Sequence, residues 1–239
     1  MSRWLLCRRR RPEAATRLYC FPHSGGAAGE YLRWADRLPG VEVWGVQPPG
    51  RGGRTGEPAF TSMDTLVAAF ADAAGLAAPY TFFGHSLGAL VAYEAALTLR
   101  ERGLPEPEQL IVSAYGAPHL HRPGEPVADL DDGELLDVVE REHGPLPGEV
   151  RADPELAAPA LAGLRADLTV VAAYRHHPAE PLRCPITALG GTTDEVTPAE
   201  LAAWSAYTAG HFSMGLFPGG HFYFRERPDD LMGFLAERL

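Results

Sequence analysis

The sequence predicts an α/β protein: a mostly parallel central sheet flanked by helices, folded as a single domain over residues 1–239, with a helical insertion over one end of the sheet. Three observations predict it. Short apolar runs alternate with helical patterns along most of the chain. A chain of 239 residues suits one large α/β domain, and a chain of that size buries roughly three-quarters of its unfolded surface without a disulfide or metal staple. Between the strand runs Gln109–Ser113 and Ile186–Gly190 the chain is far longer than one crossover needs, and it carries helical patterns there but no strand.

Taken in order, Arg17–Phe21 reads as a strand and Tyr31–Leu38 as a short helix. Val41–Gln47 is a strand stopped by Pro48-Pro49-Gly50. Ser62–Ala74 is a helix with Ser62 as its N-cap. Tyr80–Gly84 is a buried strand, and Leu87–Arg102 a long helix closed by Gly103 and Pro105. Asp131–Arg141 and Pro154–Tyr174 are the helices of the insertion, whose bounds are about 120–181. Leu156, Leu161, Leu164, Leu168 and Val171 form an apolar stripe along the second, open to either of two uses: a slot over the site or plain core. Ile186–Gly190 and Phe212–Phe217 are strands; Pro198–Thr208, with Pro in its first turn, and Pro228–Arg238 are helices.

Composition removes several function classes. Hydrophobic residues at 46% and charged residues at 22% are globular and not disordered proportions. The net charge of −10 is carried against 21 basic residues, all of them Arg. Such an acidic chain is poorly suited to nucleic acid or an anionic membrane. Arg8–Arg11 is followed by Pro12-Glu13-Ala14-Ala15 and no apolar run, so it reads as a solvated segment and not a signal. Cys7, Cys20 and Cys184 have no ligand-like spacing, which points to a reducing, cytoplasmic setting with neither disulfides nor a zinc site.

Gly84-His85-Ser86-Leu87-Gly88 fits G-x-S-x-G between an apolar strand and a helix. A strand that turns sharply into a helix holds a serine at the apex, and small residues two before and two after let the chain fold back. Ser86 is the candidate nucleophile. The Leu87 N–H opens the helix and is one candidate donor to an oxyanion. The glycine-bearing loop Phe21–Gly26 offers a second N–H, placed at Ser24 with His23 or Gly25 as alternatives. His221 follows the last strand through Pro218-Gly219-Gly220, at the end of the sheet where such folds place their sites, and is the candidate base; His211 precedes that strand. Asp194 follows Ile186–Gly190 and is the candidate carboxylate, with Glu195 beside it as the alternative. His119/His121 and His176-His177 lack a third ligand and read as solvated residues of the insertion.

With these residues placed, the chain resembles the type II thioesterases that accompany modular polyketide and nonribosomal peptide synthetases. The resemblance runs from about Trp4 to Leu239. It rests on Cys20–Gly26, Val46–Arg51 with Arg54, Gly84–Ala89, Val112–Ala114 through Ala117–His119, Leu164–Asp167, Cys184–Ile186 and Pro218–Phe222. Two departures stand out: Ser24 occupies a position where the family tends to have Ala, and the segment after Gly191 is about one residue short. The resemblance implies an α/β-hydrolase fold with a helical lid. It implies a Ser-His-Asp enzyme without cofactor or metal. Its substrates would be acyl thioesters on the phosphopantetheine arm of acyl or peptidyl carrier proteins, and its task the removal of aberrant acyl groups. The expected state is a monomer. A medium-chain fatty acyl thioesterase, a carboxylesterase or lipase, and a non-catalytic binding protein are rival expectations on the same fold.

Overall fold

The computed structural model describes residues 2–127, 129–143 and 154–239. Among these residues seven strands form one sheet: β1 (Leu5–Leu6), β2 (Thr16–Phe21), β3 (Val41–Val46), β4 (Tyr80–His85), β5 (Gln109–Ser113), β6 (Ile186–Gly191) and β7 (Phe212–Phe217). Their order is β1-β3-β2-β4-β5-β6-β7. Every pairing is parallel except β1 with β3. β1 is too short for any sequence pattern and forms because Leu5 pairs with Val46 beside the buried Trp4.

Among the described residues the helices are α1 (Gly29–Leu32), α2 (Met63–Ala73), α3 (Leu87–Glu101), α4 (Asp132–His143), α5 (Pro154–Ala173), α6 (Pro198–Ala202), α7 (Tyr223–Glu226) and α8 (Pro228–Ala236). Both sheet faces are covered, which is why β3 and β4 are buried at every position. On one face Leu66 and Phe70 of α2, Leu90, Tyr93 and Leu97 of α3, Leu201 of α6 and Trp204 pack on Tyr19, Phe82 and Val112. On the other, Tyr31, Trp34 and Leu231 and Leu235 of α8 pack on Val43, Phe83 and Ile111.

Local structure departs from the expected elements in several places. The expected helix over Tyr31–Leu38 is the end of α1 followed by a 3-10 turn, Arg33–Asp36, and Pro198–Thr208 likewise divides into α6 and the 3-10 turn Ala203–Tyr207. Ser62 holds the N-cap position of α2, yet its side chain makes no capping hydrogen bond. At α6 the cap is complete: Thr197 accepts from the Glu200 N–H, and Glu200 reaches back to the Thr197 N–H. The Arg8–Arg11 segment is anchored and not simply solvated. Arg11 donates to the carbonyls of Ala35, Leu38 and Val41, and Arg10 pairs with the buried Glu42 at 2.8 Å.

The insertion carries a small core of its own, in which Leu135, Val138 and Val139 of α4 meet Leu161 and Leu168 of α5. Asp131 caps α4 reciprocally with Glu134, each side chain accepting the other's N–H at 2.8 Å. Residues 128 and 144–153 of the insertion, and the Leu156 side chain, lie outside the described residues.

Candidate active site

The sheet reverses its winding beside β2 and β4, so the loops after these strands diverge and leave a crevice at their carboxyl ends. Ser86 stands at that point, between β4 and α3, with φ 54° and ψ −127°. This is one of two positive-φ non-glycine residues among those described, a strained conformation of the sort that persists where the surroundings dictate it. The surroundings are visible. The Ser86 N–H donates to the Ser113 carbonyl at 2.8 Å. A Cβ on Gly84 would lie 2.1 Å from the Gly88 carbonyl oxygen, and one on Gly88 would lie 2.2 Å from that of Phe21. The two glycines of the motif are therefore dictated by backbone passing over backbone.

Behind the turn, His85 is fully buried, and its Nδ1 lies 2.9 Å from the Ser113 hydroxyl. That hydroxyl lies 2.8 Å from the Tyr223 phenol. A buried chain of hydrogen bonds thus runs from the residue before Ser86 to the residue two after His221. Burial pushes the Tyr223 phenol well above its ordinary value, so it stays neutral.

His221 and Asp194 come from the loops after β7 and β6. Nδ1 of His221 lies 3.1 Å from Asp194 Oδ1 and 3.2 Å from Oδ2. The two loops are sewn together by backbone: Thr192 N–H donates to Phe217 O at 2.8 Å and Thr193 N–H to Gly219 O at 3.0 Å. Gly191 passes so close that a Cβ there would meet the Gly220 oxygen at 2.2 Å. Glu195 is exposed and takes no part in this contact, and His211 is exposed at the opposite end of β7.

The loop after β2 carries the remaining predicted residues. The Gly26 N–H donates to the His23 carbonyl at 2.9 Å, closing a turn. Because the 23–24 peptide is planar and trans, a carbonyl directed into the turn sends the Ser24 N–H the other way. The Gly25 N–H is already engaged, 2.8 Å from Asp167 Oδ2. Of the three alternatives for a second oxyanion donor, this leaves Ser24 better directed than Gly25. Ser24, Ser86, Leu87, Asp194 and His221 all line one cavity of about 640 Å³. Tyr115, Leu120, His121, Leu168 and Val171 line it as well. The apolar stripe of α5 therefore serves both uses: Leu161 and Leu168 pack on α4, while Leu168 and Val171 also face the cavity.

His119, His121 and His176 are hydrogen-bonded and not merely solvated, whereas His177 is exposed as expected. His119 Nδ1 and His176 Nε2 lie 2.9 and 3.2 Å from the Tyr207 hydroxyl. His121 joins the Tyr115 hydroxyl at 2.8 Å to the Val171 carbonyl at 3.0 Å. Among the described residues no group of three or more metal-ligating side chains occurs.

One feature was missed by residue-level reading. Arg51 and Asp167 are both buried, and they pair through two hydrogen bonds of 2.6 Å. They lie in Val46–Arg51 and Leu164–Asp167, two of the blocks that carry the family resemblance, but nothing in either block alone says that the two meet.

A serine at a strained strand-to-helix turn, a histidine beside a carboxylate and an acyl-sized cavity form an arrangement suited to acyl transfer. The family model for the thioesterase domain matches residues 16–239. The chain belongs to the thioesterase family. This thioesterase is 36% identical to the linear gramicidin dehydrogenase LgrE of Brevibacillus parabrevis, over all of this chain and 93% of that protein. The word dehydrogenase is part of that relative's name and describes that protein. RedJ, the thioesterase of the prodiginine pathway in Streptomyces coelicolor, is 39% identical with a TM-score of 0.86, over 95% of this chain and 87% of that one. The type II thioesterase BorB of the borrelidin cluster is 37% identical with a TM-score of 0.84, over 98% of this chain and 95% of that one. The thioesterase is thus a thioester hydrolase of the type II group from polyketide and nonribosomal peptide biosynthesis. No helix among its described residues is long and apolar enough to cross a membrane.

Proposed function

We propose that the protein hydrolyses acyl thioesters carried on the phosphopantetheine arm of acyl or peptidyl carrier proteins, through an acyl-Ser86 intermediate. The observation that carries the reading is the cavity of about 640 Å³ that is lined by Ser24, Ser86, Leu87, Asp194 and His221 together with residues of the insertion such as His121, Leu168 and Val171.

Ser86 Oγ attacks the thioester carbonyl carbon while His221 Nε2 takes its proton. Asp194, accepting from Nδ1–H, favours the tautomer in which Nε2 is unprotonated and can act as base, and it stabilises the imidazolium. The carbonyl oxygen becomes an oxyanion facing the Leu87 and Ser24 N–H groups, each worth roughly 10²–10³ in rate. The C–S bond then breaks. The leaving thiol has an ordinary pKa near 8.5, so it departs with less acid assistance than an alcohol, taking the proton back from His221. Water hydrolyses the acyl-Ser86 ester with His221 again as base, restoring the hydroxyl and releasing the carboxylic acid.

The insertion, about 120–181, acts as a lid that shapes the acyl slot and excludes water. An arm threading a cleft is the natural substrate form, because a long flexible pantetheine separates the reacting carbon from a bulky carrier. Removal of stalled or misprimed acyl groups is the corresponding task.

The test is paired turnover of an acyl-pantetheine thioester and the matching oxygen ester by wild type and Ser86→Ala. A thioester preference, with turnover falling on the order of 10⁴-fold or more in Ser86→Ala, is expected. An oxygen-ester preference would move the protein to the esterases, and near-normal turnover without Ser86 would overturn the site.

A further inference from the structure

We propose that Asp167, held by Arg51, is a positioning residue that makes α5 part of the oxyanion hole, so that the hole is assembled only while this lid helix is docked. The inference rests on the proposed function, in which Ser24 supplies an oxyanion donor.

Asp167 lies on α5, far along the chain from the loop it touches. Its Oδ2 accepts from the Gly25 N–H at 2.8 Å and from Arg51 Nη1 at 2.6 Å, and its Oδ1 accepts from Arg51 Nη2 at 2.6 Å. Arg51 Nη1 also donates to the Gly26 carbonyl at 3.1 Å. One ion pair therefore fixes an N–H and a C=O on successive residues of the loop Phe21–Gly26. With the Gly26 N–H closing onto His23 O, the peptide that bears the Ser24 N–H is held from both sides. Arg51 is itself fixed, since its carbonyl accepts from the Gln47 side chain, which in turn accepts from the Ala28 N–H. Leu164, one turn before Asp167, packs on the same loop, 3.2 Å from the point where a Cβ on Gly25 would lie.

Stability alone is a poor reason for this arrangement. Side-chain exposures of 8% and 7% put the pair out of water, and well-packed apolar residues commonly do as well or better in such places. What apolar residues would not do is accept the Gly25 N–H. Hydrogen bonds of this kind are lost once donor and acceptor separate beyond about 3.5 Å. A lid shift of about an ångström would therefore release Gly25 and let the Ser24 peptide rotate.

The test separates holding the fold from holding the hole. Asp167→Ala, Asp167→Asn and the double variant Arg51→Met/Asp167→Leu are compared with wild type. The double variant keeps an apolar contact between α5 and the loop but has no acceptor for Gly25. Two affinities are measured: an acyl-chain boronic acid and a non-hydrolysable acyl-pantetheine amide. The boronic acid reads the hole, because Ser86 Oγ adds to boron, its proton passes to His221, and the adduct is a tetrahedral anion. The amide reads ground-state binding.

In Asp167→Ala and in the double variant, boronic acid affinity relative to amide affinity should fall on the order of 10–100-fold, a fraction of the effect of deleting a donor. kcat should fall in parallel and KM should change less. Asp167→Asn, which retains an oxygen for Gly25, should fall less than Asp167→Ala. Thermal unfolding shows whether each variant is folded, and the double variant guards against a folding failure in Asp167→Ala. A wild-type ratio in the folded double variant would overturn the inference while leaving the Ser86 reading intact. Normal turnover by Ser86→Ala would instead overturn the reading beneath it.

Discussion

Nδ1 of His221 faces both oxygens of Asp194, at 3.1 and 3.2 Å, with the Asp194 side chain only 2% exposed. An ionised carboxylate accepts a hydrogen bond and has none to donate, so this contact favours the imidazole tautomer that carries its hydrogen on Nδ1. Asp194→Asn would turn an amide N–H toward Nδ1 and favour the opposite tautomer. A fall in kcat of about 10³–10⁴ with KM little changed is expected. Glu195 is exposed on the same loop, and Glu195→Gln should remain within about twofold of wild type, as surface changes away from a site usually do. Steady-state kinetics on a thioester substrate decides between the two acids.

His23 gives a pH signature of stability. Burial pushes its pKa down to about 4; the negative charge of Glu30 is the next largest effect and opposes the shift, while the positive charge of Arg225 adds a smaller lowering. His221 and Arg51 add smaller lowering effects. The Arg225 guanidinium lies 3.2 Å from His23 Nε2, which must accept and so is unprotonated. In the unfolded chain the same ring titrates near 6.5. Between pH 6.5 and 4 the unfolded state therefore binds the extra proton, and stability falls as pH falls through that window, by up to about 3 kcal/mol from this group. Below pH 4 both states are protonated and the loss stops growing. His23→Gln lacks this slope, so its stability relative to wild type should improve progressively from pH 7 to pH 4. Urea unfolding of both proteins across that range measures the difference.

Much of this was legible because the chemistry is local. A strand, G-x-S-x-G and a helix occupy consecutive residues, and His221 and Asp194 each follow a strand at the same end of a parallel sheet. What was not legible depends on contacts distant in sequence. β1 exists only because Leu5 and Leu6 meet Val46 and Gly45. The arginine run is fixed by Glu42 and by carbonyls of residues 35–41. His119 and His176 are recruited by Tyr207. The direction of the Ser24 N–H follows from a turn and from Asp167 on another helix, neither of which has a sequence period.

The glycine at the far side of the Ser86 turn should be irreplaceable. A Cβ on Gly88 would lie 2.2 Å from the Phe21 oxygen and 2.7 Å from that of Pro22, both backbone atoms that cannot swing aside. Gly88→Ala must push α3 away from β2, which displaces Ser86 and the Leu87 N–H together. Loss of turnover on the order of 10²-fold or more is expected, since misplacement by about an ångström suffices for that. Gly29, where a Cβ meets nothing within 4 Å, is the control: Gly29→Ala should keep turnover and stability near wild type.

The buried chain His85–Ser113–Tyr223 joins the Ser86 turn to the His221 loop, and its energetics can be divided. Ser113→Ala removes the central hydroxyl and leaves both the His85 ring nitrogen and the Tyr223 phenol facing a void. Each buried polar group so stranded costs about 1–3 kcal/mol, so the variant should lose about 2–5 kcal/mol of unfolding free energy. Tyr223→Phe removes only the outer partner and keeps the contact of 2.9 Å between His85 and Ser113, so its loss should be about 1 kcal/mol. In the double variant the phenol no longer needs Ser113. The two losses should therefore sum to more than the double variant shows, giving a coupling of about 0.5–3 kcal/mol in denaturant unfolding. Strict additivity would mean that the two hydroxyls act independently, and the mechanical link between Ser86 and His221 would have to be sought elsewhere.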